Sequence, residues 1–574
     1  MATLIRRPRG LALIFSLILV FIVGVTIMSV LGVANEQTRR VRRHELRQEE
    51  FSAAEIALNK VFAELRFFLD FGTQDIATAV ASITAPSVPG IDYSGFEVTH
   101  LGSQDELATS GPFTGLTLYT STYKVEVTAT SNDPSSTLLA HPGVSVRQDI
   151  KIRYVPLYIY GIFYDADLEI LPGPSFVETG RVHTNANMYV GTGATLTFQN
   201  YVTAHGMIRH GFHPYDTNHT SPQGGTVNYW NGTSALTDLV NGVYLDHIHP
   251  SWASDALSRW NGYVLDSAHS MPELPLPIPD TSDPHVLIEP SDVNDPISVA
   301  QLKFHNLADL IITRNPSTGV VTGTDNAGNP VDLTYDHDNN AGTPNQAIYQ
   351  VNTFRDNREG RNVTTVDVFV DRLIASGLSP ANGILYIQNN DGARMRNGAT
   401  LPTNVVGGFT AATNGPMYVW GNYNTSNTKL SLLAGDAINI LSNGWADSDS
   451  TVALSNSARD ATATEVKSVV LAGNVPTDAD TPYSGGVENY FRFHEDWSGR
   501  TFTFRGSIIN LWDSEVATAN WQYGHPSGNT YGIYTAPNRD WNWDIIYGGL
   551  AGPPGMPRVY FIDRLEWQEV DPTS

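Results

Sequence analysis

Between Leu11 and Asn35 the chain has no charged side chain, and Arg6, Arg7 and Arg9 stand just before it. Such a stretch, wound as a helix, is about 37 Å long, enough to cross the hydrocarbon layer of a bilayer with some tilt. A secretory signal has a shorter apolar region and a small-residue exit, whereas this stretch has no clean A-x-A sequence. The arginines favour a cytoplasmic amino terminus, with the rest of the chain on the far side. From Glu36 to Asp70 there is no Pro or Gly, and most residues are good helix formers. Leu46, Phe51, Ala54, Leu58, Val61 (or Phe62) and Leu65 recur at the spacing of one helix face. Oppositely charged neighbours near Glu36, Arg40, Glu45 and Arg47 support the exposed face. The spacing predicts one helix from about Leu11 to Asp70, about 90 Å long, of which a plain anchor needs only the first third.

The remainder calls for a different architecture. The 574 residues are enough for several domains. With 49 Gly, 33 Pro and only 16% charged residues, the composition favours short strands and tight turns. The net charge of −24 repels phosphate backbones, so nucleic-acid binding is not expected. There is no cysteine, which removes disulfides, thiol catalysis and Cys-ligated metals.

Residues 71–90 read as a loop. Two period-two patterns follow: Tyr123, Val125, Val127 and Ala129 share one face, as do Val144, Val146, Gln148, Ile150, Ile152 and Tyr154. They predict neighbouring antiparallel strands in a small β layer. From about 158, apolar residues step by six (Ile170, Phe176, Val182, Met188) and, after a two-residue insertion, resume at Leu196, Val202 and Ile208. That rhythm predicts stacked rungs of a β-solenoid, with a β-sandwich as the alternative. Recurring phrases at Tyr418–Asn424, Val470–Pro476 and Phe504–Asn510 each place a glycine after an apolar run, read as a corner between faces. Val366, Val368 and Val370 predict a strand running into a short helix, and the proline-rich run Met271–Pro284 predicts an extended crossing. The expected fold class is α+β, mainly β. Its expected divisions are a basic leader (1–10), the helix (11–70), an antiparallel head (71–157) and a large β body (158–574) with a proline-rich seam near 271–295.

The amino-terminal order carries a resemblance. A basic leader ending in Gly10, the run "LALIFSLILV" and the box "AAEIA" at Ala53, Ala54 and Glu55 resemble type IV pilin-like proteins, above all the PilX-type minor pilins. The resemblance implies cleavage of the Gly10–Leu11 bond by a prepilin peptidase and methylation of the new amino terminus. It implies packing of the Leu11–Asn35 span, with Phe15 and Gly24 inside it, among other pilin-like subunits. Most major pilins carry a glutamate five residues past the cut, where this chain has Phe15, so a tip or accessory position is implied rather than the shaft. "GRVHTNANMYV", "GDAINILSNGW", "YSGGVENYFRFHEDWSG" and "RDWNWD" resemble phrases of large envelope proteins with PilX-like amino termini. The implied localisation is the bacterial inner membrane, single-pass, with an extracytoplasmic body that reaches the pilus or cell surface after assembly. Surface glycans and host or neighbour proteins are the implied outer partners.

Candidate chemistry is sparse. Asp336, Asp338 and Asn340 alternate ahead of Gly342, an oxygen-rich pattern that suits calcium, although metal-free hairpin tips share it. His205, His210, His213, His219, His247 and His249 cluster without an H-E-x-x-H motif. Glu488 with Glu495, and Asp447 with Asp449, are the acid pairs that glycoside chemistry would need. Trp512, Trp521, Tyr523, Tyr531, Tyr534, Trp541 and Trp543 offer either a sugar- or protein-contact surface or core filling. The expectation is a structural and interaction protein rather than an enzyme. A permanently anchored envelope-binding protein and a tethered carbohydrate-active enzyme are the alternatives.

Overall fold

The computed structural model describes residues 9–570 apart from 71–75, 109–112, 114–116, 140–141, 220–223, 277, 280–281, 339–342, 405–406 and 550. One helix, α1, runs unbroken from Arg9 to Asp70, 62 residues and about 93 Å. The rest is mainly β, and among the described residues no sheet closes into a barrel.

The lower half of α1 packs on a small antiparallel sheet. Its strands are β1 (Ile91–Tyr93), β2 (Glu97–Leu107), β3 (Thr117–Ser131) and β4 (Val144–Pro156). In β3 and β4 the alternating faces fall as the sequence predicts. Tyr123 pairs with Ile150, Val125 with Gln148 and Val127 with Val146, and all six are buried. From α1, Ala54, Leu58, Val61 and Leu65 enter the same core. The region expected to be loop also holds a short helix, Ile76–Ser82, whose Val80 joins this core.

The head is completed from the far end of the chain. The closing strand, Arg558–Val570, lies antiparallel to β4, with Val559 opposite Val155 and Ile562 opposite Ile152. The expected division, which assigned 158–574 to the body, therefore does not hold for 558–570. The body is inserted between two neighbouring strands of the head.

Within the body the chain repeats in steps of about 20 residues. Three strands, β5 (Tyr160–Tyr164), β6 (Leu168–Ile170) and β7 (Phe176–Glu178), are followed by β8 (Arg181–Thr184), β9 (Met188–Val190) and β10 (Thr195–Phe198). Then come β11 (Val202–Ala204), β12 (Ile208–His210) and β13 (Thr226–Trp230). Each pairs in parallel with its counterpart: Ile162–Val182–Val202, Leu168–Met188–Ile208 and Phe176–Leu196–Val227. The six-residue rhythm thus places one buried apolar residue on each successive strand from Phe176 to Ile208.

A longer parallel ladder joins Leu310–Arg314, Ile384–Gln388, Gly408–Thr413, Leu430–Gly435, Thr464–Ala472 and Thr501–Asn510, and continues through β5 into β8 and β11 as one sheet. A second ladder stacks Arg361–Phe369, Ala393–Arg396, Met417–Trp420, Ile438–Leu441 and Phe491–Phe493. The strand ending at Phe369 does run into a short helix, Val370–Ala375. Residues facing inward from both ladders form the main core, among them Val366, Leu385, Val419, Ile440 and Val470. The proline-rich crossing covers the outer face of the longer ladder, burying Leu274, Ile278, Leu287 and Ile288 against Tyr386, Leu432 and Leu471. Gly421 turns a corner at φ +78° as expected. Gly506 does not: it lies inside a strand, where a Cβ would collide with the Ser468 carbonyl oxygen.

Candidate functional site

Among the described residues, the amino-terminal half of α1 packs against no other element. Leu11, Leu17, Phe21, Met28 and Val33 are exposed, and Phe15 is 65% exposed. Beyond the neighbouring residues and the local backbone of the helix itself, nothing described lies within 4 Å of where a Cβ would stand at Gly24 or Gly32. Asn35 is exposed at the end of the apolar run. Gly10 and Leu11, the expected processing pair, lie in the first turn of the helix. This length and composition suit a membrane span. Left in water, such a face would be a large aggregation-prone patch.

The alanine box works at the other end. Ala53 and Ala54 are buried while Glu55 faces solvent. Small side chains let the helix lie close to the sheet, and Tyr93 OH donates to the Ala53 carbonyl at 2.9 Å. Above the box, Glu50 is buried and its Oε1 accepts from Ser131 N–H at 2.8 Å. Arg42 bonds Asp133 Oδ2 at 2.5 Å and Ser135 Oγ at 3.1 Å. Arg564 of the closing strand bonds Asn59 and lies 3.8 Å over the Phe62 ring. The helix is therefore clamped to the head from Arg42 downward and unpacked above it.

The histidines noted in the sequence do not converge. His210 Nδ1 meets Asp238 at 2.6 Å, His213 Nε2 meets Asp167 at 3.0 Å and His219 Nδ1 meets Asp216 at 2.7 Å. His205 bonds the Met271 carbonyl and His249 bonds Ser251. Asp266 gathers His247, His269 and the Trp252 indole. Burial would raise the Asp266 carboxyl, but hydrogen bonds from His269, Trp252 and His247 outweigh it and hold it below the usual range. These are structural contacts, each imidazole spent on a carboxylate, a carbonyl or, for His249, the Ser251 hydroxyl.

Three of the four candidate acids are spent in the same way, while among the described residues the Asp449 carboxylate accepts only from its neighbour Ser448 Oγ at 3.0 Å. Glu495 accepts from Ser442 N–H and Oγ, both at 2.6 Å. Glu488 accepts from Leu171 N–H at 3.3 Å. Burial pushes both carboxyls up to about 7. Asp447 is bound by Arg394 at 2.6 and 2.9 Å and by the Trp445 indole. Of the calcium candidates, Asp336 and Asp338 are exposed, with Asp338 N–H donating to Asp336 Oδ1 at 3.3 Å. Asn340 lies outside the described residues.

Among the late aromatics, Trp512, Tyr534 and Trp541 are buried in the body, while Tyr523 is exposed. Trp543 borders a cavity of about 420 Å³ on the side of the three-strand repeats. Arg181, Gln199, Tyr201, Trp230 and Tyr263 share its lining. Tyr201 and Tyr263 stack at 4.1 Å, one position before the paired Val202 and Val264. Arg181 lies 4.2 Å over Tyr201. Parallel stacking thus lines up residues from successive repeats as one aromatic wall. Sequence reading missed this wall because its members sit about 20 to 60 positions apart.

No protein-family model and no curated protein matches the chain. A search of solved structures matches it to the crystal structure of the competence-associated pilin ComZ from Thermus thermophilus, at 11% identity. That match covers 92% of this chain and 97% of that one, with a TM-score of 0.21, too low to bear on the fold.

Proposed function

We propose that this protein is a PilX-like minor pilin or pseudopilin, carried first in the inner membrane and then in a filament of the type IV pilus or type II secretion kind. The observation that carries the reading is the division of α1. Its upper half is apolar and unpacked, and its lower half is locked to an antiparallel sheet. A helix free on every side can exchange lipid contacts for packing against sister helices. Phe15 in place of a glutamate favours a tip or accessory position. The repeated parallel pairing at 20-residue offsets supports a solenoid reading of the body.

In this reading the body binds rather than catalyses, since Glu488, Glu495 and Asp447 are engaged in structural hydrogen bonds. Its aromatic cavity offers rings, amides and a guanidinium, a combination suited to glycan contact. Mass spectrometry of the mature amino terminus tests the filament reading. A methylated peptide beginning at Leu11 supports it, and an intact Met1 or Ala2 terminus in the bilayer overturns it in favour of a permanent anchor.

A further inference from the structure

Where the proline-rich crossing reaches the body, a cluster of side chains stands apart from the anchor, the head and the aromatic cavity. His285 lies in a single 3-10 turn, Pro284–Ile288. Asp283 fixes the start of that turn, its Oδ1 accepting from His285 N–H at 3.0 Å. The imidazole is buried and edge-on to Trp512. Its Nδ1 faces two carboxylate oxygens, Glu289 Oε1 at 3.3 Å and Glu515 Oε2 at 3.7 Å. One donor atom from each of His285, Glu289 and Glu515 lies within 4.8 Å of the other two, and no other such trio of His, Asp or Glu occurs among the described residues.

The surroundings hold this trio in place. His285 Nε2 faces Asp436 Oδ1 at 3.4 Å, without the geometry of a formed hydrogen bond. Asp436 is fully buried and accepts from the backbone N–H groups of Glu515 at 2.6 Å, Val516 at 3.1 Å and Ala517 at 2.6 Å. One carboxylate therefore stands behind the imidazole and holds the segment that carries Glu515. Lys303 Nζ is 2.7 Å from Asp295 and 3.6 Å from Glu289 Oε2, leaving Oε1 turned to His285.

We propose that His285, Glu289 and Glu515 bind a divalent cation, zinc by the chemistry of the donors, with Asp436 as the orienting partner of the imidazole. Zinc takes nitrogen and carboxylate oxygen at roughly 2.0–2.2 Å, so tetrahedral donors stand about 3.4 Å apart. The two distances from His285 Nδ1, 3.3 and 3.7 Å, bracket that spacing. Calcium is disfavoured, since it takes six or more oxygen ligands. A carboxylate behind a ligating histidine is the usual outer-shell arrangement, fixing the tautomer and the ring plane. The Glu515 side chain is 58% exposed, so a fourth position opens to water. Bound there, the ion clips the crossing to the loop after Thr501–Asn510. In a chain without cysteine it supplies a cross-link that a disulfide would otherwise supply. This site is independent of the filament reading.

The test uses the full chain in detergent micelles, stripped with EDTA, loaded with ZnCl2 and desalted. The expected result is retention of about one zinc per chain, measured by elemental mass spectrometry, and a rise in Tm that EDTA reverses. Glu515→Gln and His285→Asn should each abolish retention, and Asp436→Asn should weaken binding about 10–100-fold. Because Glu515 is exposed, its variant keeps the native circular dichroism spectrum and decides the matter if His285→Asn fails to fold. Absence of retained zinc, equal retention by Glu515→Gln, or stabilisation by CaCl2 as strong as by ZnCl2 would overturn the assignment.

Discussion

Arg47 on α1 and Glu569 on the closing strand, 522 positions apart, share two hydrogen bonds of 2.8 Å. Both side chains are largely exposed, so the pair itself contributes less than about 1 kcal/mol. The strand that carries Glu569 matters far more, because Val559 and its neighbours cover the edge of β4. Arg47→Ala should leave the urea midpoint nearly unchanged. Removal of residues 558–574 should expose that edge and give aggregates by size-exclusion chromatography in the same detergent.

Ala54 has no exposed surface where α1 meets the sheet. Ala54→Leu should overpack this contact and destabilise the head by about 1–3 kcal/mol. Glu55→Ala, one position on and facing solvent, should stay within about 0.5 kcal/mol of the parent. Denaturant unfolding followed by near-ultraviolet circular dichroism separates the two.

Arg394 and Asp367 are both fully buried, with the guanidinium on the carboxylate at 2.8 and 2.5 Å. Arg394→Met takes the main cation from Asp367, which keeps Arg396 at 3.3 Å, and also from Asp447, and should cost about 3 kcal/mol. Adding Asp367→Asn to that variant should recover a large part of the loss. Equal stability of the single and double variants would count against a paired charge here.

Glu178 is buried, with Oε1 accepting from Gly180 N–H at 2.6 Å, and burial pushes its carboxyl up to about 8 from an ordinary 4.5. The folded state therefore holds a proton that the unfolded chain releases. Its contribution to stability is complete below pH 4.5 and is lost as pH rises toward about 8. Glu178→Gln should match the parent at pH 4.5 and exceed its Tm at pH 8.5. Thermal melts across that range give the difference curve.

If the aromatic cavity takes glycans, Trp230→Ala and Gln199→Ala should each reduce retention of the full chain on immobilised oligosaccharides about tenfold. Tyr523→Ala, an exposed aromatic outside that lining, should change nothing. Glycan-array binding in detergent measures all three.

Much of the architecture was legible because it is local. Leu46, Ala54, Leu58, Val61 and Leu65 repeat at helical spacing and all are buried. The alternation in β3 and β4 announces a sheet with one covered face. The closing strand was not legible as part of the head, since nothing near Arg558 names a partner some 400 positions earlier. Candidate sites fared worse for the same reason. Histidines close in sequence, such as His210 and His213, went to separate carboxylates. Meanwhile His285 and Glu515 meet only because a crossing folds back over the long ladder.

The insertion of the body between β4 and the closing strand has a mechanical consequence. Pro156 and Arg558, where the chain leaves the head and returns to it, are directly opposite one another. A pull on anything the body grips therefore reaches the head through two adjoining strands drawn in the same direction. Neither strand is peeled from the other, and the load spreads across the sheet into α1, the element best placed to carry tension onward along its axis.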